Sequence, residues 1–176
     1  PDELADDHAA TRPVVNHAIR EVSAEGVMPE WVCCLYPTAP FALAADLQSA
    51  FDQLKDEELD FVFSAASFAY PIQRSFRIRP DGAPERLYPE HRTTRSQDLE
   101  EAYHDAGQFY WGRCQAFLDE LDTISANNRA YLLPRYRVHD IDTEEDWMRA
   151  ELAFQALRAS RTASSQEAAT HRSTDS

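Results

Sequence analysis

Basic residues, glycine and long apolar runs are all scarce in this sequence. It has 17 lysines and arginines against 31 aspartates and glutamates, which gives a formal net charge of −14. Nucleic acids and anionic membranes bind basic protein surfaces, so we expect neither as a partner of this acidic protein. No apolar run reaches the length of a membrane span and no signal peptide is recognisable, so we expect a cytoplasmic protein.

Cysteine is also rare. Cys33 and Cys34 are neighbours in an apolar run, and Cys114 stands alone. This spacing matches neither a disulfide framework nor a zinc site. We therefore expect three reduced thiols.

The first half of the chain alternates helical and extended patterns. Apolar residues recur at helical spacing over residues 14–22, and Gly26 ends that pattern. Trp31–Leu35 and residues 61–66 are apolar runs too short for helices, which predicts strands buried on both faces, as in a parallel sheet. A second helical pattern over residues 44–54 separates them. The sequence therefore predicts an α/β fold, and 176 residues suit one domain.

A different pattern follows Pro71. Apolar and polar residues alternate, and Pro80, Asp81 and Gly82 form a turn signal. This predicts a hairpin outside the main sheet, over about residues 71–92. From the residues alone, a surface decoration and a contact surface remain equally open.

Residues 91–113 combine polar recognition groups with an aromatic strand pattern. Arginine forks hold carboxylates by two-point contacts, which makes Arg92 and Arg95 candidates for binding an acidic ligand. The alternative is that both are solvated loop arginines. The amides of Gln97 and Gln108 can bond hydroxyl groups, and Gln108 opens an aromatic run typical of a buried strand.

Two aspartates stand near the C-terminal end of the domain. Residues 131–138 read as an extended segment, and Asp140 and Asp142 follow it two positions apart. In extended backbone both carboxylates point to one side, which suits Mg²⁺ shared with phosphate oxygens. The alternative is that one of them caps the next helix. Thr143 and Asp146 have the spacing of a capping box for a helix running to about residue 158. We expect residues 159–176 to form a disordered tail.

Three ordered motifs resemble a known family. They are SFAYPIQR at residues 67–74, TRSQDL with YHDAGQFY at residues 94–110, and DIDTEEDW at residues 140–147. This sequence resembles the acylneuraminate cytidylyltransferases over roughly residues 1–157, and it is most similar to the branch that activates pseudaminic acid.

The resemblance implies a Rossmann-like nucleotide-diphospho-sugar transferase fold, with residues 1–158 as a partial cytidylyltransferase domain. It implies the reaction of CTP with a nine-carbon acidic sugar, pseudaminate, to give CMP-pseudaminate and diphosphate. It places Arg95 and Gln97 at the sugar's carboxylate and neighbouring hydroxyls, and Gln108 at the sugar's polar edge. The aspartates of the Asp140-x-Asp142 motif hold the metal in that family. In that family the hairpin excursion builds the dimer contact, so the resemblance implies a homodimer.

Two departures from the family pattern matter. Sialic-acid enzymes carry Gln-Pro-Thr-Ser-Pro after the second strand, whereas this chain has Tyr-Pro-Thr-Ala-Pro at residues 36–40, with Thr38 retained as a substrate-binding candidate. That segment ends a predicted strand, where open α/β sheets bind ligands. The family's glycine- and base-rich triphosphate loop has no counterpart among the four scattered glycines.

We therefore expect a chain that lacks the first strands of the domain and makes no CMP-sugar by itself. An N-acylneuraminate (sialic acid) cytidylyltransferase and a non-catalytic sugar-binding or dimerisation module remain the alternatives.

Overall fold

The computed structural model describes residues 1–6 and 8–174, with side chains through residue 159. Its helices are α1 (Thr11–Ala24), α2 (Ala44–Asp56), α3 (Cys114–Leu118) and α4 (Glu144–Thr174). Its strands are β1 (Trp31–Leu35), β2 (Phe61–Ser67), β3 (Phe76–Ile78), β4 (Pro84–Arg86), β5 (Tyr103–Arg113) and β6 (Asn128–Leu132). The described helices include none long and apolar enough to cross a membrane.

The main sheet has four strands in the order β1-β5-β2-β6. β2 pairs in parallel with β6, and β5 runs antiparallel to both β1 and β2. The predicted α/β class and the two predicted strands are confirmed. The aromatic run at residues 108–111 lies in β5, as expected of a buried strand.

The surroundings predicted for β1 are wrong. β2 is buried from Phe61 through Ala66, as predicted, but β1 is only partly buried and Leu35 is exposed. β1 lies at the edge of the described sheet, and its one strand partner, β5, is antiparallel rather than parallel. A five-residue apolar run predicts a strand, but it does not indicate how many neighbouring strands that strand has or whether they are parallel to it.

The core forms two clusters, and the pleat of the sheet separates them. One cluster joins the buried residues of α2 to Val62 and Phe109, and the other joins α1 and α3 to Phe61. Gly112 permits this packing, because a Cβ there would lie 2.4 Å from a ring carbon of Phe61. Helices therefore cover both faces of the sheet.

The predicted hairpin is confirmed as a separate two-stranded sheet of β3 and β4. Gly82 has a φ of +83°, the left-handed conformation that the tight turn requires. The hairpin sits between β2 and the long loop that leads to β5.

The predicted capping box at the start of α4 is confirmed. The Thr143 amide donates to Asp146 Oδ2 at 3.1 Å, and the Asp146 amide donates to Thr143 Oγ1 at 3.2 Å. Within the segment predicted as extended from residue 131 to 138, the strand ends at Leu132 and a 3-10 turn interrupts the extended backbone at Arg135–Arg137. α4 continues to Thr174, past the end predicted at about residue 158, so the backbone described for residues 159–174 is helical. Residues 175–176 lie outside the described residues, and the disorder predicted for the tail stays a prediction.

Candidate functional site

The predicted substrate arginines lie on the loop between β4 and β5. Arg92, Arg95 and Gln97 are all exposed there. The Arg95 guanidinium already holds a carboxylate by two points, because Nε donates to Asp98 Oδ2 at 2.7 Å and Nη2 donates to Asp98 Oδ1 at 3.1 Å. The fork therefore has the geometry predicted for an acidic ligand, with the chain's own Asp98 as its present partner.

Arg74 binds the backbone of this loop. Its guanidinium donates to the backbone carbonyls of His91 at 3.4 Å, Arg92 at 3.5 Å and Thr94. The neighbouring Gln73 donates through Nε2 to the carbonyl of Glu100 at 3.1 Å. These bonds tie the loop to the turn that precedes the hairpin. Sequence reasoning used both residues only as part of a motif and assigned them no role.

Gln108 lies in the interior of the protein. Its side chain is fully buried, Nε2 donates to the carbonyl of Arg137 at 2.6 Å, and Oε1 is buried without a hydrogen-bond partner. From this position its amide faces the Arg135–Arg137 turn. Contact with a sugar stays a prediction, and it requires the side chain to leave the position described.

A buried ion pair fixes the same turn to α2. Arg137 donates through both terminal nitrogens to the Asp46 carboxylate, and the Tyr131 hydroxyl donates to Asp46 Oδ1 at 3.3 Å. The Arg137 and Asp46 side chains are only 13% and 11% exposed. The bond to Asp46 raises the pKa of Arg137, so the guanidinium keeps its charge. Asp46 and Arg137 are 91 positions apart, and no local pattern in the sequence pairs them.

Asp140 and Asp142 lie three and five residues beyond this turn, on an exposed segment before α4. The pKa of Asp140 is raised, mainly by partial burial and then by the charges of Asp142, Asp146 and Asp105. The capping bonds use Thr143 and Asp146, so neither aspartate of the Asp140-x-Asp142 motif caps the helix. In the part of the chain whose side chains are described, no three His, Cys, Asp or Glu residues are grouped closely enough to hold a metal ion.

Thr38 lies half-buried on the loop after β1, as predicted for a residue at a strand end. The nearby Tyr36 hydroxyl lies 2.9 Å from Thr11 Oγ1, and its ring packs edge-on against Tyr110. Thr11, Tyr36 and Tyr110 border a cavity of about 190 Å³ that Arg12 and Asp105 also line. Burial and the hydrogen bond to Asp105 raise the pKa of Tyr110, which therefore stays a neutral hydroxyl.

The predicted site residues form separate groups in the fold. The loop arginines, Thr38 and the aspartate pair are each on a different connection of the fold. Among the described side chains, no hydrogen bond or ion pair joins one of these groups directly to another. The segment that leads to the aspartates is held by the buried pair of Arg137 with Asp46, by Val138 against the core and by the His139 ring, which lies 5.1 Å from the ring of Phe41.

Comparison with known proteins identifies relatives along most of the chain. It is 37% identical over 151 residues to a pseudaminic acid cytidylyltransferase of Campylobacter jejuni, which covers 86% of this chain and 65% of that protein. It is 34% identical over 142 residues to a Helicobacter pylori protein named pseudaminic acid cytidylyltransferase and UDP-2,4-diacetamido-2,4,6-trideoxy-beta-L-altropyranose hydrolase. That match covers 80% of this chain and 27% of the relative. These homologues confirm the resemblance.

The chain spans about two thirds of the length of the Campylobacter relatives that it matches. No family model matches the chain. A solved structure of CMP:2-keto-3-deoxy-manno-octonic acid synthetase complexed with CTP superimposes with a TM-score of 0.52, over 85% of this chain and 70% of that one. At 13% identity the likeness concerns the fold alone, and it confirms the predicted nucleotide-sugar transferase fold.

Proposed function

We propose that the protein is a cytidylyltransferase that activates a nonulosonic acid, converting CTP and pseudaminate to CMP-pseudaminate and diphosphate. The observation that carries this proposal is the 37% identity to a pseudaminic acid cytidylyltransferase over 86% of the chain. In the reaction the sugar's anomeric hydroxyl attacks the α-phosphorus of CTP, and the bond from that phosphorus to diphosphate breaks. The work of such a transfer is to position the two substrates and to neutralise phosphate charge.

The loop between β4 and β5 is the proposed binding site for the acidic sugar. Arg95 presents a two-point fork on an exposed loop, and its contact with Asp98 demonstrates that a carboxylate fits it. Arg92 and Gln97 are exposed beside it, where they can bond further oxygens of the sugar. Thr38, on the loop that follows β1, is proposed to contact the substrate as well.

Asp140 and Asp142 are the proposed ligands of Mg²⁺. Burial and, to a smaller extent, the charge of Asp142 raise the pKa of Asp140. A hard cation bound between the two carboxylates would relieve the repulsion between them. Mg²⁺ is typically held by one or two carboxylates together with substrate phosphates, so a pair is a sufficient donor set. When bound, the cation would neutralise phosphate charge during the transfer. The chain's own part is to hold the two carboxylates through the anchored Arg137 turn.

The separate hairpin is the proposed contact surface of a homodimer. Phe76 and Ile78 alternate on β3 and are 57% and 63% exposed, and Tyr70 before the hairpin is 82% exposed. A short two-stranded sheet with exposed apolar side chains gains stability from a partner surface.

The three free thiols and the nucleotide substrate fit our expectation of a cytoplasmic enzyme.

The experiment that tests the sugar site is a calorimetric titration of the protein with pseudaminate and with its methyl ester. We expect pseudaminate to bind at least tenfold more tightly, because the ester cannot accept the charged two-point contact of Arg95. Arg95→Lys should cost about 1.5–3 kcal/mol of that binding, because a point charge replaces the fork. Arg79→Lys, on the hairpin, is the matched control and should bind as the parent does. Equal affinity for acid and ester would refute the assignment, and tighter binding of N-acetylneuraminate would favour the sialic-acid alternative.

A further inference from the structure

Arg74 makes an unusual set of contacts. One guanidinium donates to three backbone carbonyls within four consecutive residues, those of His91, Arg92 and Thr94. Arg74 belongs to the 3-10 turn Ile72–Arg74, which precedes the hairpin, so the contact spans the whole β3–β4 excursion. Its guanidinium bonds the backbone of the loop, and among the described residues it pairs with no carboxylate.

Around residues 89–94 the loop's own backbone bonds are single-turn contacts, which include those from the Arg92 amide to the Pro89 carbonyl at 3.2 Å and from the Thr94 amide to the His91 carbonyl at 3.2 Å. Such contacts form and break locally unless a bond from elsewhere in the fold holds the loop. Bonds from a charged donor are about twice as strong as neutral ones. Among the described residues, Arg74 therefore ties residues 91–94 to the turn before the hairpin, and Gln73 ties the later part of the loop through the carbonyl of Glu100.

We propose that Arg74 is a positioning residue for the acidic-sugar site, which fixes the backbone carbonyls of residues 91–94 and so sets where Arg92 and Arg95 present their side chains. The proposal rests on the proposed function and deepens it. Arg74 does not touch the sugar in this arrangement. It acts through the two loop arginines, and its own positive charge, held at the carbonyls of residues 91–94, adds to their attraction for an anion.

Arginine is required at this position for a geometric reason. The planar guanidinium has five donors in a fixed fork and can serve several carbonyls at once. A lysine keeps the charge, but its single ammonium cannot span the same three carbonyls in one plane. Arg74→Lys should therefore restore part of the function that Arg74→Ala loses, and the order of the two variants separates charge from geometry.

The first test measures the loop itself by amide hydrogen exchange and by limited trypsin digestion. In Arg74→Ala, exchange over residues 92–95 and cleavage after Arg92 and Arg95 should each accelerate about tenfold, because the loop opens more often when its charged ties are lost. Arg77→Ala is the matched control, because Arg77 pairs with Glu85 within the hairpin at 2.9 Å and has no bond to the loop. Unchanged exchange and cleavage in Arg74→Ala would overturn the proposal.

The second test measures KM for each substrate with the full-length protein. Arg74→Ala should raise KM for pseudaminate about tenfold, in line with the loss of charge-assisted bonds, and leave KM for CTP within twofold. Arg74→Lys should fall between Arg74→Ala and the parent, which also guards against misfolding of the alanine variant. A loosened loop with an unchanged sugar KM would overturn the positioning role. If Arg95→Lys also leaves the sugar KM unchanged, the proposed sugar site itself fails.

Discussion

Arg95 and Asp98 form a two-point ion pair on the surface of the loop, with N···O distances of 2.7 and 3.1 Å. Their side chains are 71% and 45% exposed, so the pair is well solvated and contributes little to stability. A ligand carboxylate that binds Arg95 by its fork must displace Asp98. The pair therefore acts as an internal competitor for the proposed substrate.

Asp98→Asn should strengthen binding of the acidic sugar. Removing the competing charge should lower KM for pseudaminate by a factor of about 1.4 to 5, since an exposed ion pair is worth about 0.2–1 kcal/mol. KM for CTP should not change. Asp81→Asn is the control, because Asp81 forms an exposed ion pair with Arg79 on the hairpin, away from this loop. A weaker affinity for the sugar in Asp98→Asn would mean that the pair holds the loop in its binding conformation instead.

Asp142→Asn should lower turnover of the full-length protein by about 10²-fold or more with little change in melting temperature, because a metal-binding charge is lost from an exposed segment. Glu145→Gln removes a nearby exposed charge and should leave turnover within twofold. The measurement is kcat at saturating CTP and sugar over a Mg²⁺ titration. Parent-like turnover in Asp142→Asn at every Mg²⁺ concentration would remove this residue from the metal site.

Asp46→Asn should destabilise the fold strongly. It leaves the buried Arg137 guanidinium without its counter-charge, which typically costs about 3–5 kcal/mol. The double variant Asp46→Leu with Arg137→Met should be more stable than Asp46→Asn, since no charge is then left uncompensated in the interior. Urea denaturation gives the free energies of unfolding. If Asp46→Asn loses less than about 1 kcal/mol, the pair is solvated rather than buried.

The sequence predicted best the features that depend on neighbouring residues. The capping box of Thr143 and Asp146 is encoded within four positions, and β2 is recognisable because six consecutive residues suit a buried strand. The hairpin was predictable for the same reason, since Gly82 and alternating residues define it locally. Local spacing and local apolarity are sufficient in each of these cases.

The features that the sequence could not predict depend on the arrangement of distant segments. The burial of Asp46 and its pairing with Arg137 follow from packing α2 against the turn after β6. Gln108 follows a polar stretch of sequence and was predicted to bind the ligand, but its position in β5 buries its side chain. β1 has the composition of a central strand, yet it has a strand neighbour on one side only within the described sheet. Arg74 is one of 17 basic residues, and only the folded loop shows what it contacts.

The measurement that tests the central claim most directly is product formation by the full-length protein. It should be incubated with CTP, Mg²⁺ and, in parallel, pseudaminate, N-acetylneuraminate or 2-keto-3-deoxy-manno-octonate, with diphosphate release and the mass of the CMP-sugar both recorded. We predict CMP-pseudaminate and stoichiometric diphosphate with pseudaminate, at a kcat/KM at least tenfold above that for either other acid, a difference in transition-state stabilisation of about 1.4 kcal/mol or more. Faster turnover of another acid, or diphosphate release from none of them, would contradict the account.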